Sequence, residues 1–200
     1  VILYDETIRQ NAKDGTPLVK LIEKAGSIPG IKVDAGTKPL AGARPGEVIT
    51  EGLDGLRERL AEYHRLGARF AKWRAVIDLG RGGDRSIPSW NCVKSNAHAL
   101  ARYAALCQDA EIVPIVEPEI LMDGDHDADA CYDATLLTLK TLYRELFDAN
   151  VALEGTILKP NMIVAGKKCA NQATVAEVAE MTVRCFRNAV PAAVPGIVFL

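Results

Sequence analysis

The chain has no apolar run near the roughly 18–20 residues needed to span a bilayer, and no excess of either charge. Its formal net charge is -2 over 200 residues, which gives no electrostatic footprint for nucleic acid or an anionic membrane surface. No C-x-x-C pair occurs among Cys92, Cys107, Cys131, Cys169 and Cys185. Five widely spaced thiols argue for reduced cysteines and a cytoplasmic setting, against a disulfide framework or a zinc site. His64, His98 and His126 show no metal-ligand spacing and read as surface or helix residues. The acidic loop D-G-D-H-D, Asp123 to Asp127, fails as an EF-hand, with Ala128 where glycine is needed and Ala134 where the bidentate glutamate belongs. The glycines of Gly80 to Asp84 fit neither G-x-G-x-x-G nor G-x-x-x-x-G-K-[ST] and read as a turn. No metal and no cofactor are expected.

What is present is a globular composition, 48% hydrophobic, enough for a sizeable core. Strand-like and helix-like segments alternate. Strands are expected at Val1–Tyr4, Gly30–Asp34, Phe70–Ile77, Ile112–Leu121, Ile157–Leu158 closed by Lys159, and Ile197–Leu200. Between them the 3.6-residue period and capping residues predict a short helix capped by Thr16, with Pro17 in its first turn. A second helix is capped by Thr50 and carries Leu53, Leu56, Leu60 and Tyr63 on one stripe, ending at Gly67. A third covers Cys92–Gln108 and a fourth about Ala130–Asp148. A last one opens on the capping box Thr174-x-x-Glu177. Residues 35–49 read as a loop, and no hairpin signal interrupts the alternation.

That alternation is the signature of βαβ units and a parallel sheet. Six strands fall short of the eight strands and about 250 residues of a closed (β/α)₈ barrel, so the expected fold is an incomplete TIM barrel, about strands 2–7 of 8. The doubly wound open sheet lacks its glycine fingerprint here. Both ends of the chain lie in apolar runs, whereas domains usually end in polar residues. The expectation is a single partial barrel domain over residues 1–200, internal to a longer protein.

Charged residues sit where such strands end. Lys32, Lys72, Glu117 and Lys159 recur at intervals of 40, 45 and 42 residues, and Arg74 and Glu119 lie two residues beyond two of them. In a barrel these six would converge on one mouth. Lys159 stands out, because an ammonium on a buried strand loses its hydration unless it gives up its proton, and a neutral amine attacks carbonyl carbon. Taken alone, Lys159 could equally snorkel to water or pair with a carboxylate.

The segments G-I-K-V-D with P-L-A-G, F-A-K-W-R, I-V-P-I-V-E-P-E-I-L, D-G-D-H-D and E-G-T-I-L-K-P-N-M together resemble class I fructose-1,6-bisphosphate aldolase across essentially the whole chain. The resemblance implies a metal-free glycolytic and gluconeogenic enzyme, a homotetramer at full length. It would cleave fructose 1,6-bisphosphate to dihydroxyacetone phosphate and glyceraldehyde 3-phosphate. By motif, Lys159 would form the Schiff base, Glu117 would act as acid and base, and Lys72 and Glu119 would line the site. Lys32 and Arg74 would bind substrate phosphate. The family's first-strand aspartate, its Ser-Gly-Gly phosphate segment, a later arginine and its C-terminal tyrosine have no counterpart in these residues. A Schiff-base aldolase for another sugar phosphate, or a non-catalytic barrel scaffold, are the alternative readings.

Overall fold

The computed structural model describes residues 1–82 and 85–199. Its elements, in chain order, are β1 (Ile2–Leu3), α1 (Asp5–Ile8), α2 (Leu18–Lys24), β2 (Gly30–Lys32), β3 (Thr37–Pro39), β4 (Val48–Thr50) and α3 (Leu56–Leu66). There follow β5 (Phe70–Ile77), β6 (Gly80–Gly82), β7 (Arg85–Ile87), α4 (Trp90–Asp109), β8 (Val113–Ile120), α5 (Ala128–Asp148), a 3₁₀ turn (Leu153–Gly155), β9 (Ile157–Leu158) and α6 (Val175–Ala189).

Five strands form one parallel sheet in the order β1-β2-β5-β8-β9. Each strand lies beside the next βα unit's strand, as in a (β/α)₈ barrel, of which this sheet is an unclosed part. The sixth expected strand contributes a single parallel bridge, Leu158 to Ile197, with Val198 N–H donating to Leu158 O at 2.9 Å; Leu200 lies outside the described residues.

Burial follows the two-residue strand period. On β5, Ala71, Trp73, Ala75 and Ile77 are fully buried, while Lys72, Arg74 and Val76 alternate with them on the other face. The first set packs under α4, whose Leu100, Tyr103, Ala104 and Cys107 share one core with Leu139, Leu142 and Leu146 of α5. Trp73 and Tyr103 rings lie 5.5 Å apart, and the Tyr103 hydroxyl donates to Ile115 O at 3.3 Å. Gly30 is required by close approach, since a Cβ there would sit 2.3 Å from the Phe70 ring.

Several expectations are corrected. Thr50 does not cap a helix. It ends β4, buried, and its hydroxyl donates to Arg74 O at 2.7 Å; α3 starts later, after Gly55. Thr16 makes no cap either, because Pro17 occupies that position in front of α2 without a side-chain bond. The loop over residues 35–49 contains the antiparallel β3–β4 hairpin. The turn expected at Gly80–Asp84 belongs to a second hairpin, β6–β7, with Gly83 and Asp84 outside the described residues. β3 and β4 are joined by residues 40–47, a connection too long to carry the two-residue turn signal of a tight hairpin.

The remaining helices match. α4 is capped by the Ser89 side chain, α5 by Asp127, and α6 by the expected capping box of Thr174 and Glu177. No helix among the described residues is long and apolar enough to cross a membrane.

Candidate active site

The parallel register places the charged side chains. Lys32 on β2 pairs with Lys72 on β5, and Arg74 on β5 with Glu117 on β8. Lys159 follows β9, and its N–H donates to Val116 O at 2.9 Å. Four adjacent strands therefore deliver cations and carboxylates to one end of the sheet.

Glu117 is the centre, only 3% exposed. Lys159 Nζ donates to its Oε1 at 2.5 Å. Lys72 Nζ lies 3.1 Å from Oε2, close enough for ion pairing but off the hydrogen-bonding direction, so Oε2 has no hydrogen-bond partner among the described residues. Arg74 Nε stands 4.0 Å from Oε1. One buried carboxylate thus faces three cations, and the Lys72 and Lys159 side chains are themselves only 14% and 15% exposed.

Glu117 lies between the Lys159 and Lys72 amines and touches both.

Further out, Arg74 binds Glu119 through both Nε and Nη2, which converge on the single oxygen Oε2. Lys32 Nζ donates to Asp34 Oδ1 at 2.6 Å and to Asp34 O at 2.9 Å, and it lies 5.9 Å from the centre of the Tyr4 ring. A cavity of about 450 Å³ is lined by Tyr4, Lys32, Asp34, Thr37, Lys72, Arg74 and Val76, among others. It suits a small, anionic, hydroxylated ligand.

Of the six predicted residues, the structure joins Lys72, Glu117, Lys159, Arg74 and Glu119 in one contact network. Lys32 stands on the same cavity but in a separate pair with Asp34. Tyr4 on the rim was missed, as nothing in V-I-L-Y marks the tyrosine as part of a site.

The other polar candidates have structural employment. Asp127 accepts from Ala130 N–H as a cap, and Asp123 pairs with Lys167 at 2.9 Å. His64 and His98 are on helices beside Glu111 and Glu145. His126 is not the surface residue expected; both its ring nitrogens are buried, packed between Gly124 and the loop through Gly166.

A parallel βα sheet that gathers a buried lysine–carboxylate cluster at one end of its strands is an unclosed part of a (β/α)₈-type barrel. The family model for class I fructose-bisphosphate aldolase matches residues 1–200, and the chain belongs to that family. It is 61% identical over 199 residues to a probable fructose-bisphosphate aldolase class 1 of Xanthomonas campestris pv. campestris, covering 100% of this chain and 58% of that protein. It is 52% identical over 200 residues to the cytosolic fructose-bisphosphate aldolase 6 of Arabidopsis thaliana, covering 54% of it. The solved fructose-bisphosphate aldolase of Plasmodium falciparum superposes with a TM-score of 0.94 at 44% identity, over 99% of this chain and 56% of that one. The chain spans a little over half the length of these relatives.

Proposed function

We propose that the chain is the central part of a longer class I aldolase that cleaves fructose 1,6-bisphosphate through an imine on Lys159. The observation that carries this reading is the buried Glu117 carboxylate held between the Lys159 and Lys72 amines.

The geometry supports a specific division of labour. For Lys159 to attack the substrate ketone its amine must be neutral, and the Glu117 oxygen 2.5 Å away is placed to take the departing proton. The same carboxyl can return it to the carbinolamine hydroxyl, which leaves as water as the iminium forms. In the full-length protein the family's first-strand aspartate, which these residues do not include, would take the C4 hydroxyl proton; C4 becomes the aldehyde carbonyl, the C3–C4 bond breaks, and its pair passes to the iminium as an enamine. Lys72, at the other carboxylate oxygen, places its amine beside the carboxylate whose charge changes in these steps. Lys32 and Arg74, at the cavity wall, offer ammonium and guanidinium donors to phosphate. Glu119 fixes the guanidinium plane.

Action in glycolysis and gluconeogenesis, a cytoplasmic location, and assembly of the full-length protein into a homotetramer belong to the same reading and rest on family membership.

Steady-state cleavage of fructose 1,6-bisphosphate by the full-length protein tests it. Activity should survive EDTA and vanish in Lys159→Met. Activity lost to EDTA and restored by zinc would overturn the reading.

A further inference from the structure

The β8–β9 ladder, which sets Glu117 against Lys159, runs out of backbone donors at the site itself. Lys159 N–H donates to Val116 O. Beyond that bond the next position of β8 on this edge is Pro118, which has no N–H to give. Successive amides alternate between strand edges, so the next donor on this edge of β8 is Ile120. A backbone carbonyl would normally receive it. Instead Asn161 Oδ1 does so, at 3.1 Å.

The side chain is committed on its other half too. Asn161 Nδ2 donates to Thr135 Oγ1 at 3.0 Å and to Met162 O at 3.1 Å, and lies 3.7 Å from Cys131 Sγ. Thr135 and Cys131 are buried on α5. The orientation of the amide is fixed by chemistry, because the Ile120 N–H can only donate and must meet oxygen.

One side chain thereby ties together three parts of the molecule. These are β8 one residue past Glu119, the segment two residues past Lys159, and the helix behind both. A hydrophobic residue at 161 would leave the Ile120 N–H unpaired at the point where the ladder has no other bond to offer.

We infer that Asn161 is a positioning residue, whose side-chain amide takes up the β8–β9 ladder after the bond lost to Pro118 and so sets the Glu117–Lys159 contact. The inference rests on the Schiff-base reading above. It goes further in assigning the distance between acid and nucleophile to a residue that touches neither. A displacement on the order of 1 Å between such groups costs about 100-fold in rate.

The test uses the full-length protein and three variants. Asn161→Ala should lower kcat for cleavage about 100-fold with KM within about twofold, and should slow borohydride trapping of dihydroxyacetone phosphate on Lys159 to the same degree. Asn161→Asp keeps an oxygen for the Ile120 amide and should recover most of the trapping rate. Thr182→Val is the control for general loosening. It removes the buried hydroxyl that accepts Ile163 N–H at 2.9 Å, and should lower Tm while leaving kcat near the parent value.

Should Asn161→Ala fail to fold, Asn161→Ser carries the same expectation, since its oxygen is too short to reach Ile120. Parent-like trapping in whichever of these folds would overturn the inference alone. So would an equal loss of kcat in Thr182→Val. A parent protein that forms no adduct would overturn the Schiff-base reading and the inference with it.

Discussion

Lys159 Nζ lies 2.5 Å from Glu117 Oε1 across the β8–β9 boundary, 42 residues apart in sequence. In the proposed mechanism, proton acceptor and nucleophile are thus already in contact before any substrate arrives. The acid needs no conformational change to reach the amine.

Glu117→Gln should therefore leave Lys159 in place, with an amide oxygen that can still accept from its amine but cannot take up its proton. Imine formation should slow by roughly 10²–10⁴-fold, the range for losing a general acid–base group. Single-turnover trapping at several times checks this. A rate within a few-fold of the parent would show that another group moves the proton.

Lys32→Ala and Arg74→Ala should act mainly on substrate binding. A charge-assisted hydrogen bond is worth about 1.5–3 kcal/mol, so KM should rise roughly 10–100-fold. The effect should be larger for the bisphosphate than for a substrate lacking the phosphate concerned. Equal losses on both substrates would place these residues in the chemical step.

Glu47 gives a pH-dependent prediction away from the site. It is 5% exposed, and burial alone would raise its carboxyl. Hydrogen bonds from the Ser89 hydroxyl and N–H and the Arg44 N–H outweigh this, with the Arg44 charge adding to them, and hold it below the ordinary carboxylate range. A depressed folded-state value means the stabilisation is present above the unfolded pKa of about 4.3 and is lost as pH falls below it. Glu47→Gln should destabilise by about 1–3 kcal/mol near pH 7, a gap that narrows below about pH 4. Denaturant melts at the two pH values measure it, and a gap unchanged by acid would contradict the assignment.

The thiols divide by burial. Desolvation raises Cys92 and Cys185 to about 11, and raises Cys107 and Cys131 as well. Only the thiolate alkylates readily. Of these five cysteines, iodoacetamide at pH 8 should first label Cys169, the one that is not buried. Early labelling of Cys107 by mass spectrometry would mean that the α4 core opens far more readily than its packing implies.

The site was legible in the sequence because its residues break a local rule. Lys72, Glu117 and Lys159 put charge where a parallel strand should be apolar, and their even spacing identified the barrel. The hairpins were not legible. β3–β4 closes through a long glycine- and proline-containing loop, and its anchor is tertiary, with Glu47 bonding the start of α4 and Thr50 bonding Arg74 O. Thr50 fits a helix cap by residue type alone; the strand won because its hydroxyl has a buried carbonyl to meet. The part played by Asn161 was likewise invisible, since it depends on which amide the strand register brings opposite the side chain.

The central claim is that Lys159 is the nucleophile, and covalent mapping tests it most directly. The full-length protein is incubated with dihydroxyacetone phosphate, reduced with borohydride, digested, and its peptides sequenced by mass spectrometry. The account predicts one adduct, on Lys159, and none in Lys159→Met. An adduct on Lys72 or Lys32 would contradict it, and no adduct at all would favour a non-catalytic scaffold.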